Sequence, residues 1–234
     1  MERIDFHSHI LPGADHGSDG LETSLAQLAL LSAAGVKQLA VTPHFYPQER
    51  SLSSFLEKRE RCARTLSPHL TKTSPVIYLW AEVLLCEGME RMEGLERLCI
   101  GGGKTLLLEM PFGRLSDGAF YTIERLCERD DLHILLAHID RYHREDVASV
   151  MSLPLWAQVN GESLCNRKTR KSLEPYFEEG RIAALGSDLH GAKKGALKDY
   201  LKGLSKLGEE REAEIYRQSA KLLNHAVAME IAEG

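Results

Sequence analysis

Seven times along this chain an apolar, β-rich run is followed by a segment with helical periodicity. The strand-like runs fall at about 3–9, 37–43, 76–83, 105–111, 133–139, 155–160 and 182–188. Helix-like segments fill about 21–34, 54–66, 87–98, 119–129, 144–151, 168–179 and 194–207, and a last one covers 209–231. Such alternation predicts parallel strands joined by right-handed crossovers. Leu106-Leu107-Leu108 and Ile134-Leu135-Leu136 are apolar at every position, as strands buried on both faces are. The 234 residues contain no Pro/Gly/Ser-rich linker, repeat or low-complexity stretch. The expectation is an α/β fold in one domain over residues 1–234, a closed or nearly closed (β/α) barrel, with an open doubly wound sheet as the alternative.

Local signals sharpen three helices. Leu21, Leu25, Leu28 and Leu31 share one face of the first, and Gly35 supplies its stop. Ser54 and Glu57 have capping-box spacing at the start of the second. Ile215, Leu222, Leu223, Val227 and Ile231 are the apolar positions of the last.

Polar residues sit where the apolar runs stop. Asp5, His7 and His9 alternate onto one face of the first strand, while Ile4, Phe6 and Ile10 take the other or flank it. His44 follows the second strand, Glu82 the third, Glu109 the fourth, His138 the fifth and Asn160 the sixth, with Asp188 and His190 after the seventh. In a (β/α) barrel these ends converge on one rim, where active sites lie. Gathering so many imidazoles and carboxylates costs several kcal/mol each, by order of magnitude, unless cations compensate. The donor set is nitrogen and oxygen without thiolate, which favours manganese, iron or zinc. Eight or nine ligands imply two or three ions, and clustered divalent ions suit phosphate-ester hydrolysis.

Charge and cysteine content close off other classes. A net charge of −5 gives no basic surface for nucleic acid, and no apolar stretch approaches the roughly 20 residues of a membrane span. Met1-Glu2-Arg3 leads directly into the first strand, so no signal peptide is expected and the location is read as cytoplasmic. The five cysteines are scattered without C-x-x-C spacing, as in a reducing compartment. None is followed by Arg six positions on, which disfavours cysteine-based phosphatase chemistry; after Cys165 that position is Lys171. Gly101-Gly102-Gly103-Lys104-Thr105 precedes a strand instead of following one and is read as a turn, not a phosphate loop.

The ordered motifs Asp5-Phe6-His7-Ser8-His9, Asp15-His16-Gly17, Thr42-Pro43-His44, Ala81-Glu82, Leu108-Glu109-Met110-Pro111, Ala137-His138-Ile139-Asp140-Arg141-Tyr142, Gln158-Val159-Asn160 and Ser187-Asp188-Leu189-His190 resemble the PHP (polymerase and histidinol phosphatase) superfamily over nearly the whole chain. The chain looks most similar to the manganese-dependent protein-tyrosine phosphatases of bacterial capsule and exopolysaccharide operons. That resemblance implies a distorted (β/α)7 barrel with three divalent ions, manganese first, with iron or zinc as alternatives. It implies His7, His9, Glu82 and Asp188 on the first ion, Glu82 bridging to a second held by Glu109 and His138, and His16, His44 and His190 on the third. It also implies a phosphotyrosine protein as partner, a tyrosine kinase of polysaccharide export; charge and hydropathy add the expectation of no nucleic acid and no membrane insertion.

Three positions depart from the usual pattern. His16 stands where relatives carry aspartate, so His16 or Asp15 is the ligand there. Asp140 replaces a frequent glutamate, and Lys193 and Lys194 stand in place of an arginine that commonly follows the last His motif. Arg141 is the expected phosphate clamp, since its planar fork matches phosphoryl oxygens; with His44 and His138 it forms the expected catalytic set. Phe45, Tyr46, Phe112 and Tyr142 are rim aromatics that could stack on a substrate ring. The alternatives are a histidinol-phosphate or other small-molecule phosphatase, and a non-catalytic metal-binding regulator.

Overall fold

A computed structural model of the chain describes residues 2–193, 195–224 and 226–229. Its strands in chain order are β1 (Arg3–Asp5), β2 (Val36–Val41), β3 (His44–Phe45), β4 (Val76–Leu79), β5 (Glu82–Leu84), β6 (Thr105–Glu109), β7 (His133–Leu136), β8 (Trp156–Asn160) and β9 (Ile182–Gly186). All pairings between these strands are parallel, in a three-stranded sheet β1-β2-β4 and a six-stranded sheet β3-β5-β6-β7-β8-β9. The helices are α1 (Leu21–Ala33), α2 (Leu52–Leu66), α3 (Asp117–Cys127), α4 (Arg144–Val150), α5 (Arg167–Glu178), α6 (Lys198–Leu207) and α7 (Glu209–Leu222). None of them is long and apolar enough to cross a membrane.

The expected seven strands become nine because two are interrupted at the same level. Pro43, which has no N–H for the ladder, separates β2 from β3, and Trp80-Ala81 separates β4 from β5. The register survives the gap: Val41 pairs with Leu79 and His44 with Glu82. Trp80 N donates to Val41 O at 2.9 Å and Glu82 N to Pro43 O at 3.2 Å. Beyond β1, Phe6 N donates to Leu185 O at 2.9 Å and Asp188 N to His7 O at 2.7 Å, tying the first strand segment to β9. The buried faces carry the apolar side chains read from sequence: Phe6 and Trp80 are fully buried and meet edge to face with centroids 5.6 Å apart.

Several helical expectations change. Residues 87–98 form two short 3-10 turns, Met89–Arg91 and Leu95–Leu98, because Gly88 and Gly94 adopt φ of 84° and 83° and break any longer helix. The second helix is capped by Ser51, whose side chain accepts from Ser54 N, so Ser54 lies inside the helix. On α1 the buried residues are Ser24, Gln27, Leu28 and Leu31, while Leu21 and Leu25 are only partly buried; the polar pair faces the loops that carry the site. Gly35 does end this helix, at φ 84°. The last helix stops at Leu222, and Ile231 and Lys194 lie outside the described residues. Residues 100–102 form a 3-10 turn before β6, as read.

Candidate metal centre

The strand-end residues converge. Nε2 of His7 and of His9 lie 3.1 Å apart. Oε2 of Glu82 is 3.1 Å from the first and 3.3 Å from the second, and Oδ1 of Asp188 is 3.6 and 3.4 Å from them. Oε1 of Glu82 lies 2.7 Å from His138 Nε2, whose distance to Glu109 Oε1 is 3.8 Å. Nδ1 of His44 is 3.0 Å from Glu82 Oε2 and 3.9 Å from Glu109 Oε2. Donor atoms of His9, His44 and His190 also fall within 4.8 Å of one another. Eight of the nine residues expected as ligands therefore meet in overlapping groups: His7, His9, His44, Glu82, Glu109, His138, Asp188 and His190. His16 is at the edge, its ring 4.9 Å from that of His44 and 4.7 Å from that of His190.

Backbone and second-layer contacts aim these side chains. His138 and Asp188 hold φ of 29° and 50°, unusual for non-glycine residues, and each directs its side chain inward as the chain leaves a strand. Gln158 Oε1 accepts from His138 N at 2.7 Å and lies 3.2 Å from His7 Nδ1, while its Nε2 donates to Asn160 Oδ1 at 2.8 Å. Asn160 Nδ2 in turn donates to Asp188 Oδ2 at 3.0 Å. His138 Nδ1 is 3.1 Å from the hydroxyl of Tyr142, and His190 Nδ1 is 3.0 Å from Asp188 O. The contacts of His7, His138 and His190 use Nδ1 and leave Nε2 as the nitrogen that can meet a cation, the arrangement that fixes the tautomer of a metal-ligating histidine. Gln27 Nε2 donates to the carbonyls of His9, Gly17 and Leu189, tying three site loops to α1.

The protonation pattern follows from crowding. Burial pushes the Glu82 carboxyl up, but His7, His138 and His44 together hold it well below its usual range. Burial and the charge of Glu82 push Glu109 up to about 8. Burial and His9 push His190 down to about 4. Asp188 is lowered: His7, His9 and Arg141 override its burial.

The residues fit divalent cations. Among the described residues, His190 Nε2 is buried with no hydrogen-bond partner, and three carboxylates (Glu82, Glu109 and Asp188) and four more imidazoles (His7, His9, His44 and His138) face the same space. Buried polar atoms without partners are costly, and a cation accepting those lone pairs removes the cost. The mixed imidazole and carboxylate donors match manganese, iron or zinc.

Other expected residues have different places. Asp5 accepts from Ser187 N (2.8 Å), Ser187 Oγ (2.6 Å) and His7 N (3.2 Å), with burial raising it to about 6. Both oxygens of Asp15 are engaged by His9, Gly17 and His44, which favours His16 over Asp15 as the outer donor. Arg141 forms a close ion pair with Asp188 Oδ2. Asp140 accepts from Asn160 N at 3.0 Å and Ser163 Oγ at 2.5 Å, holding the end of β8. Phe45 is fully buried, Tyr142 is used through its hydroxyl, Tyr46 lies parallel to His44 with centroids 5.3 Å apart, and Phe112 is exposed. Lys193 is exposed. Gln27 escaped the sequence reading, although its spacing with Ser24, Leu28 and Leu31 marks one helix face.

Parallel strands whose carboxyl ends gather histidines and acids define an α/β protein of the metal-binding class. The chain belongs to the family described as capsular polysaccharide synthesis, CpsB/CapC, which it matches over residues 3–224. It is similar in structure to a chain described with YwqE from Bacillus subtilis and CpsB from Streptococcus pneumoniae as unique metal-dependent tyrosine phosphatases, at 18% identity, TM-score 0.75 and 96% coverage of both chains. A TatD-like protein from Archaeoglobus fulgidus matches at 14% identity and TM-score 0.56, covering 95% of this chain and 100% of the other. A β-aspartyl dipeptidase from Fervidobacterium islandicum matches at 13% identity and TM-score 0.51, covering 99% of this chain and 77% of the other. The comparison with curated protein sequences yields no match.

Proposed function

We propose that the protein is a metal-dependent phosphotyrosine phosphatase. The observation that carries the reading is the meeting of His7, His9, Glu82 and Asp188 with His44, Glu109, His138 and His190, whose Nε2 is buried without a hydrogen-bond partner. Family membership and the likeness to the tyrosine phosphatase fold support it. Bound divalent ions would supply a water-derived nucleophile near neutral pH and neutralise charge on phosphoryl oxygens.

The chain's residues have distinct parts in this scheme. His7, His9, Glu82 and Asp188 would hold one ion, Glu82, Glu109 and His138 a second, and His16, His44 and His190 a third, with manganese the first choice. Gln158, Tyr142 and Asp15 hold the imidazoles in orientation. Arg141 stands beside the cluster and would clamp phosphoryl oxygens once Asp188 is engaged by a cation. A phenolate leaving group, with a pKa near 10, needs less protonation than an alkoxide. The hydrogen bonds joining β1 to β9 support a barrel-like ring of seven strand positions in a single domain. The partner would be a tyrosine kinase of polysaccharide export, met in the cytoplasm, where the free cysteines would stay reduced.

The test is turnover by manganese-loaded protein. Release of phosphate from para-nitrophenyl phosphate and phosphotyrosine peptides is expected; activity confined to histidinol phosphate overturns the tyrosine-phosphate reading. No turnover with manganese, iron or zinc overturns the enzyme reading.

A further inference from the structure

A cleft of about 240 Å³ opens directly on the outer donors of the metal centre. Asp15, His16 and His44 form one end of it; Tyr46, Glu49, Arg50 and Lys58 line the remainder. Its shape comes from a tight turn in which Tyr46 O accepts from Glu49 N (3.0 Å) and Arg50 N (3.1 Å), placing Arg50 just ahead of α2, which carries Lys58. Tyr46 is fixed by its parallel packing on His44, an interplanar angle of 17°. Among the described residues neither Arg50 nor Lys58 has a carboxylate partner within 4.0 Å, whereas Arg141 pairs with Asp188 and Arg59 with Glu60. The cleft carries two acids, but Asp15 is engaged by His9, Gly17 and His44, which leaves Arg50 and Lys58 facing only Glu49 at the end away from the metal centre.

We propose that Arg50 and Lys58 form a second anion subsite that selects phosphotyrosyl segments carrying an aspartate or glutamate beside the phosphotyrosine. The inference rests on the phosphatase reading and adds a substrate preference to it. The scissile phosphate belongs at the ion cluster and Arg141, so the cations across His16 and His44 are left for a neighbouring group of the substrate. A carboxylate fits them: it satisfies both cations without competing for the ions held deeper in the site.

The test uses manganese-loaded protein and matched phosphotyrosine peptides with glutamate, alanine or lysine beside the phosphotyrosine. The glutamate peptide should exceed the alanine peptide in kcat/KM by about threefold to tenfold, chiefly through KM, since exposed ion pairs contribute modestly. The ratio should collapse toward one in 0.5 M salt and in the R50A/K58A variant. Charge reversal in R50E/K58E should turn the preference toward lysine. Equal kcat/KM for glutamate and alanine peptides, or a ratio unmoved by the substitutions, overturns the subsite while leaving the phosphatase reading intact. Absence of turnover on every phosphotyrosyl substrate overturns both.

Discussion

Oδ2 of Asp15 lies 2.7 Å from Nδ1 of His9, and the same oxygen accepts the backbone N–H of His44 at 3.0 Å. One buried carboxylate therefore sets two histidines that come from separate strand ends. Its burial would raise its pKa, but His9 and the two backbone donors lower it, so it stays charged. Asp15→Ala should keep the fold and weaken cation binding by about 10- to 100-fold, the usual cost of losing an outer-shell partner. Asp15→Asn, which can still accept from His9, should fall between. Titration calorimetry with Mn2+ checks both.

His138 and Arg141 are three residues apart but should separate cleanly. His138 Nε2 faces Glu82 and Glu109, so His138→Ala should lose bound metal. The Arg141 side chain pairs with Asp188, so Arg141→Ala should keep its metal and bind inorganic phosphate more weakly, by about tenfold if one charge-assisted contact is lost. Elemental analysis and competitive inhibition by phosphate read the two effects. Unchanged metal content in His138→Ala would count against its place on the second ion.

Much of this site was legible because strand ends are marked twice, by a polar residue and by the end of an apolar run. His7, His44, Glu82, Glu109, His138 and Asp188 meet because parallel strands bring equivalent ends together, which needs no knowledge of loop paths. The supporting residues were harder to read. Nothing local distinguishes Asp15 as an orienting acid from His16 beside it as a donor; only the loop path sends one to His9 and the other toward His190. Gln27 went unread because the leucines alone defined the expected face of the first helix. The paired interruptions at Pro43 and Trp80 were invisible as well, since the apolar run continues through the second.

Gly17 is where loop path and site are most tightly bound. A Cβ there would fall 2.0 Å from His9 Cβ and 2.6 Å from His9 O. Those neighbours are a fixed side-chain root and backbone, so neither can swing away. Gly17→Ala should cost about 1–3 kcal/mol through overpacking and lower the Tm by roughly 2–12 °C. Cation affinity should fall as well, because His9 must move. Gly13→Ala, with nothing within 4 Å of the added carbon but a φ of 67°, is the control for backbone strain alone and should leave cation binding intact.

His16 is the last position to settle, since its ring stands parallel to that of His44 at an angle of 9° while its neighbour Asp15 is fully engaged. As an outer donor it should be replaceable by a carboxylate of similar reach. If the proposed outer cation is bound there, His16→Ala should lose it and His16→Asp should regain it with a preference moved toward manganese, since oxygen donors suit that ion better than imidazole does. Cations at the inner sites proposed for His7, His9, Glu82, Glu109, His138 and Asp188 should persist in both variants. Metal content after dialysis against mixed Mn2+ and Zn2+ measures the outcome. Full occupancy in His16→Ala would assign the outer ion to His9, His44 and His190 alone, the trio whose donor atoms already lie within 4.8 Å of one another.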